Sequence, residues 1–276
     1  MASSAIESAA SRIKRSRTHL DSINAHITDY IRSTKDDFVI KVNPQLNSVY
    51  LVWWTEANYW LSFDTSVIIG EFLYNLRSLL DNLVCALVRV SDPDSDCAGR
   101  QFPIHSDGPK FNASAKDVLK GVPDAGLRLI RDLQPYQRGN GAKLDPLNIL
   151  NALCNRDKHR ALQIVAGYHR DAQFRISRPD GRPVLYFGLP RSAFMDGPKV
   201  VDLPLTPSEV DGELKVEAGG TKTVCFLEPG PWGERPVNEV LVACLDYVEK
   251  RVVPRFKPLL DQGIDPDRGP SNFSPD

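Results

Sequence analysis

Arg77 and Asp81 stand four residues apart in Gly70-Glu-Phe-Leu-Tyr74-Asn75-Leu-Arg77-Ser78-Leu-Leu-Asp81-Asn82, so on a helix they face one another one turn apart. A second polar segment reads Asp145-Pro-Leu-Asn148-Ile-Leu-Asn151-Ala-Leu-Cys154-Asn155-Arg156-Asp157-Lys158-His159-Arg160. At about 100° per residue its Asn148, Asn151, Asn155, Lys158 and His159 fall along one stripe. An imidazole that titrates near neutrality beside lysine and arginine is the equipment of metal-free phosphodiester chemistry: His159 moves the proton and Lys158 or Arg77 steadies phosphate charge. Asp81 or Asp157 would orient them, and Asn151, Asn155, Asp157, Arg160 and Tyr74 supply ligand contacts.

Each feature also has a plain structural role. Arg77 and Asp81 form an ordinary i,i+4 ion pair, although acid before base is the better order, so stability alone is a weak reason for it. Asn148 and Asn151 face water in that reading, while Lys158, His159 and Arg160 sit where the helix macrodipole favours cations. A third alternative has Arg77, Asp81 and the asparagines satisfying one another inside a helical layer.

The elements that must position these residues follow from periodicity. Ile6, Ile13, Leu20, Ile23, Ile27 and Ile31 recur at helical intervals, which predicts a long amphipathic helix over 4–33 with a basic patch at Arg12, Lys14, Arg15 and Arg17. Alternation at Phe38, Ile40 and Val42, the Asn43-Pro44 turn, and alternation at Val49, Leu51 and Trp53 predict a β-hairpin over about 37–54. A helix over 61–90 carries Ile69, Phe72, Leu73, Leu76, Leu80, Leu83 and Leu87 on its apolar face. From 97 to 143 the chain reads as loop, apart from a short helix over 124–133. Asp145-Pro146 is then a helix start, an N-cap followed by proline at the first helical position.

Beyond Arg160 the pattern changes to strands at 162–168, 173–177, 184–187, 200–203, 213–217 and 223–227, with Asp180-Gly181 as a hairpin turn. A last amphipathic helix covers 237–253, and the tail from 265, rich in Pro, Ser and Asp, reads as disordered. The expected fold class is α+β: a helical region with a hairpin over 1–160, then a mainly antiparallel sheet with a closing helix over 161–264.

Net charge of -1 offers no global electrostatic argument for nucleic acid. The five cysteines are scattered, odd in number and set mostly in apolar runs, which fits free thiols in a reducing compartment. No spacing suggests a metal site, no glycine-rich phosphate loop or nucleophile elbow occurs, and no cofactor is expected. With no apolar signal segment and no run of membrane-spanning length, a cytoplasmic chain without membrane contact is expected. RNA or a nucleotide, a protein partner, or a second copy forming a homodimer are the candidate partners.

The order Ile69-Gly70-Glu-Phe-Leu-Tyr74-Asn75-Leu76-Arg77-Ser78-Leu-Leu-Asp81, Phe102-Pro103-Ile104, Leu133-Gln134-Pro135-Tyr136 and Asn155-Arg-Asp157-Lys158-His159-Arg160 resembles a widespread group of uncharacterised bacterial proteins, whose pattern is roughly GxxxHNLRSxLDH, FPI, LQPY and NxDKHR. The resemblance spans about residues 69–160 and implies no named activity. The arginine-to-histidine spacing in that pattern is similar to the RxxxxH signature of HEPN domains, helical modules that often act as metal-independent ribonucleases or nucleotide-binding partners. Here Asn82 occupies the histidine position and Tyr74 the earlier one, and an amide does not titrate. The resemblance therefore leaves His159 as the proton-moving candidate and sets a non-catalytic binding module ahead of a HEPN-like enzyme.

Overall fold

In a computed structural model the chain divides into two compact units that interleave in sequence. The described residues are 2–33, 36–43, 45–55, 63–158, 164–189, 199–210, 213–226, 230, 232 and 235–261. One unit comprises Met1–His19, Gly70–Lys158 and Val242–Asp276; the other comprises Leu20–Ile69 and His159–Leu241. The expected tail and the side chains of Trp53, Trp54 and Trp60 lie outside the described residues.

The element order is α1 (Ala2–Ser33), β1 (Asp36–Asn43), β2 (Ser48–Thr55), α2 (Phe63–Ser91), α3 (Gly108–Val118), α4 (Asp124–Asp132), α5 (Pro146–Asp157), β3 (Ile164–Ser177), β4 (Pro183–Leu189), β5 (Lys199–Leu203), β6 (Lys215–Phe226), α6 (Val237–Tyr247) and α7 (Val253–Asp261). The α+β class is as the sequence predicts. Among the described residues no helix is long and apolar enough to cross a membrane.

Two three-stranded antiparallel sheets, ordered β1-β2-β5 and β4-β3-β6, make the strand-rich unit. Val49, Leu51 and Leu203 of the first sheet share one core with Ala172, Phe174 and Ile176 of the second, and Phe38 meets Phe174 edge-on at 5.3 Å. The hairpin therefore belongs with the later strands rather than with the helical region of 1–160, because β5 pairs with β2. Two pairs of predicted strands are single strands here. In β3 the register shifts between Tyr168 and Gln173, and β6 runs on through Gly219 and Gly220, so broken alternation marks irregular strands and not loops. Gly181, at φ 84°, makes the predicted turn, closed by Gly181 N–H donating to Arg178 O at 2.8 Å.

In the helical unit the apolar face of α2 is buried from Phe72 to Leu87, as are Leu147, Ile149, Leu150 and Leu153 of α5 and Phe256 and Leu260 of α7. The predicted closing helix is longer than expected: α6 passes through a π turn at Val248–Val252 into α7, which contributes to this unit rather than to the sheet. The segment read as loop contains α3, whose start is set by capping rather than periodicity. Asp107 accepts from Lys110 N–H, proline follows in the first turn, and only Phe111 is buried.

Two cysteines correct the expectation of five free thiols. Cys85 on α2 and Cys97 in the following loop are joined in a disulfide, while Cys154, Cys225 and Cys244 are free and buried.

Asp145 caps α5 as predicted: its carboxylate accepts Leu147 N–H at 2.9 Å and is held by Arg138 Nε at 3.2 Å. Its side chain is 1% exposed, so alanine would leave the Leu147 N–H without its cap acceptor and Arg138 with Tyr247 Oη in place of a carboxylate. Asp145→Ala is expected to lower unfolding free energy by about 1–2 kcal/mol, read from the denaturant midpoint at constant slope.

Candidate functional site

The candidate site is built around the backbone of one residue. Phe102 is wholly buried, so its backbone N–H and C=O need protein partners. A single turn of α2 supplies both: Arg77 Nη2 donates to Phe102 O at 2.6 Å, and Asp81 Oδ1 accepts Phe102 N–H at 2.8 Å. Arg77 Nη2 lies 3.2 Å from the same Asp81 oxygen, which closes the predicted ion pair around that backbone. Arg77 Nη1 is also buried, and it has no hydrogen-bond partner among the described residues.

Gln134 holds the next stretch in the same way. Fully buried, it accepts His105 N–H on Oε1 at 3.1 Å and donates through Nε2 to Pro103 O at 2.8 Å and Ile130 O at 3.0 Å. The sequence reading takes Gln134-Pro135-Tyr136 as a helix stop. α4 does end there, but the glutamine amide also fixes the Pro103–His105 backbone, a role that no periodicity signals.

From α5, Cys154, Asp157 and Lys158 reach the same neighbourhood. The positive charge of Lys158 acts on Asp81 and Cys154, and the carboxylate of Asp157 acts on Tyr74. Asp157 packs so closely on α2 that a Cβ added to Gly70 would lie 2.6 Å from Asp157 Oδ2, so a larger residue there would have to displace the Asp157 carboxylate. The structure thus brings Arg77, Asp81, Tyr74, Asp157 and Lys158 together. Asn155 is solvent-exposed, Asn151 is half-buried, and Asn148 bonds to Lys143 O at 3.2 Å. His159 and Arg160 lie outside the described residues.

Burial dominates the electrostatics. It raises the Asp81 carboxyl above its ordinary value, against the opposing pull of Arg77, the Phe102 amide and Lys158. Asp157 is raised by burial as well. The Cys154 thiol is pushed up to about 12 despite Arg77 and Lys158, which makes it inert as a nucleophile at neutral pH. His105, which the sequence treats as a lone loop histidine, stands within the field of Arg77; burial lowers its pKa, and Asp107 partly opposes this.

Asn75 and Asn82 lead elsewhere. Asn75 Nδ2 donates to Arg12 O at 2.6 Å and to Ser16 Oγ at 2.8 Å. With its amide oriented to satisfy both ends, Asn82 Oδ1 accepts from Arg12 Nε and Nη2 at 3.1 and 3.2 Å. The residue in the HEPN histidine position therefore ties α2 to α1.

Among the described residues no group of His, Cys, Asp and Glu is arranged to hold a metal ion. No family model, curated protein or solved structure matches the chain.

Asp81→Ala should destabilise the fold by roughly 1–3 kcal/mol in denaturant titration, because it strands both the Arg77 cation and the Phe102 N–H. A change near zero would mean that the clamp carries no weight.

For Asp157 the raised folded pKa means that the native state binds more protons than the unfolded chain through the carboxylate range. Its penalty is absent below the unfolded pKa of about 4 and fully present above the folded value, so stability falls as pH rises through that window. Asp157→Asn should flatten that fall in urea midpoints measured from pH 4 upward.

Proposed function

We propose that the chain is a non-catalytic binding module whose site takes an anionic group on Arg77 and Lys158, with Tyr74, His105 and Asp157 at its margin. The observation that carries this reading is Arg77 Nη1, a buried guanidinium nitrogen with no partner among the described residues. A stranded charged donor costs about 1–3 kcal/mol or more, and a ligand oxygen would relieve that cost. The arrangement favours binding over cleavage. Asn82 cannot titrate and its amide is engaged by Arg12, while the buried Cys154 thiol is unreactive.

The resemblance to the bacterial group with the same motif order supports a bacterial origin, and the three free buried cysteines support a reducing, cytoplasmic setting. A HEPN-like ribonuclease is the second reading. It rests on the same Arg77 and on His159.

The test is ligand-induced change in melting temperature with inorganic phosphate and with a short RNA. At a hundredfold excess over Kd a ligand confined to the native state adds about 2.7 kcal/mol, which is about 5 °C or more for a domain of this size. Arg77→Gln and Lys158→Ala should each remove most of the shift, while Asn155→Ala should leave it. Absence of any shift with both probes in the unsubstituted chain would sink the binding reading. RNA cleavage by the natural chain or by Asn82→His, abolished by His159→Ala, would instead establish the enzyme.

A further inference from the structure

The disulfide and the Phe102 clamp lie on one short stretch of chain. Cys85 follows Asp81 by four residues on α2, on the same stripe, and its partner Cys97 precedes Phe102 by five. The segment between them is thus secured to α2 at two neighbouring points, a covalent one at Cys97 and a polar one at Phe102. Cys97 has φ 59°, the left-handed region that non-glycine residues rarely occupy without being held there. Both cysteines are half-buried and so within reach of a reductant, whereas Cys154, Cys225 and Cys244 are buried.

We propose that Cys85–Cys97 is a redox latch: reduction frees Cys97 from its left-handed conformation and loosens the Arg77–Asp81 grip on Phe102. In the reduction a dithiol's thiolate attacks one sulfur of the pair and breaks the S–S bond. The dithiol's second thiol then resolves the mixed disulfide. The pair gains two electrons and two protons and the dithiol becomes a disulfide. In the reducing setting proposed above, a cystine in a chain whose other thiols are free and shielded suits a regulatory bond better than a framework, since disulfides in such compartments are mostly transient or redox-sensing.

One feature makes the clamp sensitive to this release. Among the described residues, the ties of 98–101 beyond their own loop are Arg100 Nη1 to Asp117 O at 2.9 Å and Gln101 N–H to Val118 O at 3.3 Å, both to α3, while Arg89 Nε of α2 reaches the loop at Ser95 O, 3.1 Å away and on the far side of Cys97 from the clamp. The latch rests on the disulfide and the clamp and not on the proposed ligand at Arg77.

The experiment is amide hydrogen exchange on the full chain with and without dithiothreitol, together with thiol counting by alkylation under denaturing conditions. The expected count is three thiols before reduction and five after it. On reduction, exchange across residues 101–105 should rise tenfold or more while residues 76–83 of α2 stay protected, and reoxidation should restore the slow rate. Cys97→Ser should show the fast rate with or without dithiothreitol. Five thiols without reductant, unchanged exchange at 101–105, or loss of protection throughout α2 would each overturn the latch. The last of these would make the bond a global staple. Because the unsubstituted chain is measured in both redox states, the test stands even where Cys97→Ser does not fold.

Discussion

The buried backbone of Phe102 is the constraint around which the helical unit is organised. Its N–H and C=O are shut off from water and lie in a segment that is neither helix nor strand, so no backbone ladder satisfies them. Asp81 and Arg77 do this from one turn of α2, as an acceptor and a donor held in register by their own attraction. The order of the pair, arginine before aspartate, is the less favourable one for an isolated helix, and the clamp is the reason for it.

Seen from the clamp, four motifs separated in sequence have one spatial meaning. The Gly70–Asp81 stretch of α2 provides the gripping pair, and Gly70 admits Asp157. Phe102-Pro103-Ile104 is the strip being held, Gln134 grips it from the other side, and Asp157 and Lys158 bring α5 to the same place. Side-chain-to-backbone bonds of this kind fix a loop more rigidly than apolar contact would, because each has a required distance and direction. Loops so fixed can present chemistry with the precision of a helix.

The legibility of this arrangement in the sequence divides along physical lines. Helices with continuous apolar stripes, α1, α2 and α5, are readable from periodicity, and Asp145 and Gly181 are readable from capping and turn chemistry. α3 escapes because it buries only Phe111, and strands β3 and β6 read as fragments because bulges interrupt their alternation. In the site, Arg77, Asp81, Tyr74, Asp157 and Lys158 carry a helical spacing signal. Gln134 and the Phe102 backbone carry none, since backbone groups have no sequence identity and a buried glutamine looks like any other. The amide stripe of α5 misleads for the opposite reason. Asn148, Asn151 and Asn155 share a face by spacing, yet Asn155 faces solvent and Asn148 is spent on a local carbonyl.

The choice of arginine at position 77 bears most directly on what the site is for. A lysine ammonium has donors enough to reach both Phe102 O and Asp81, and it would complete the clamp as a compact point charge. Arginine brings a planar fork, and here one arm does all of the structural work while the other, Nη1, is enclosed beside it. Enclosing an idle charged donor is a cost that a purely structural clamp has no reason to carry. Under the proposed binding reading Nη1, the arm the clamp does not use, is the donor that would meet a ligand oxygen. Lys158, exposed at the end of α5 and near enough to act on Asp81, supplies a second cation within the same field. The surplus donor and its neighbouring charge are what support the proposed binding reading over a purely structural clamp. They also imply that a lysine at position 77 keeps more of the fold than of the binding.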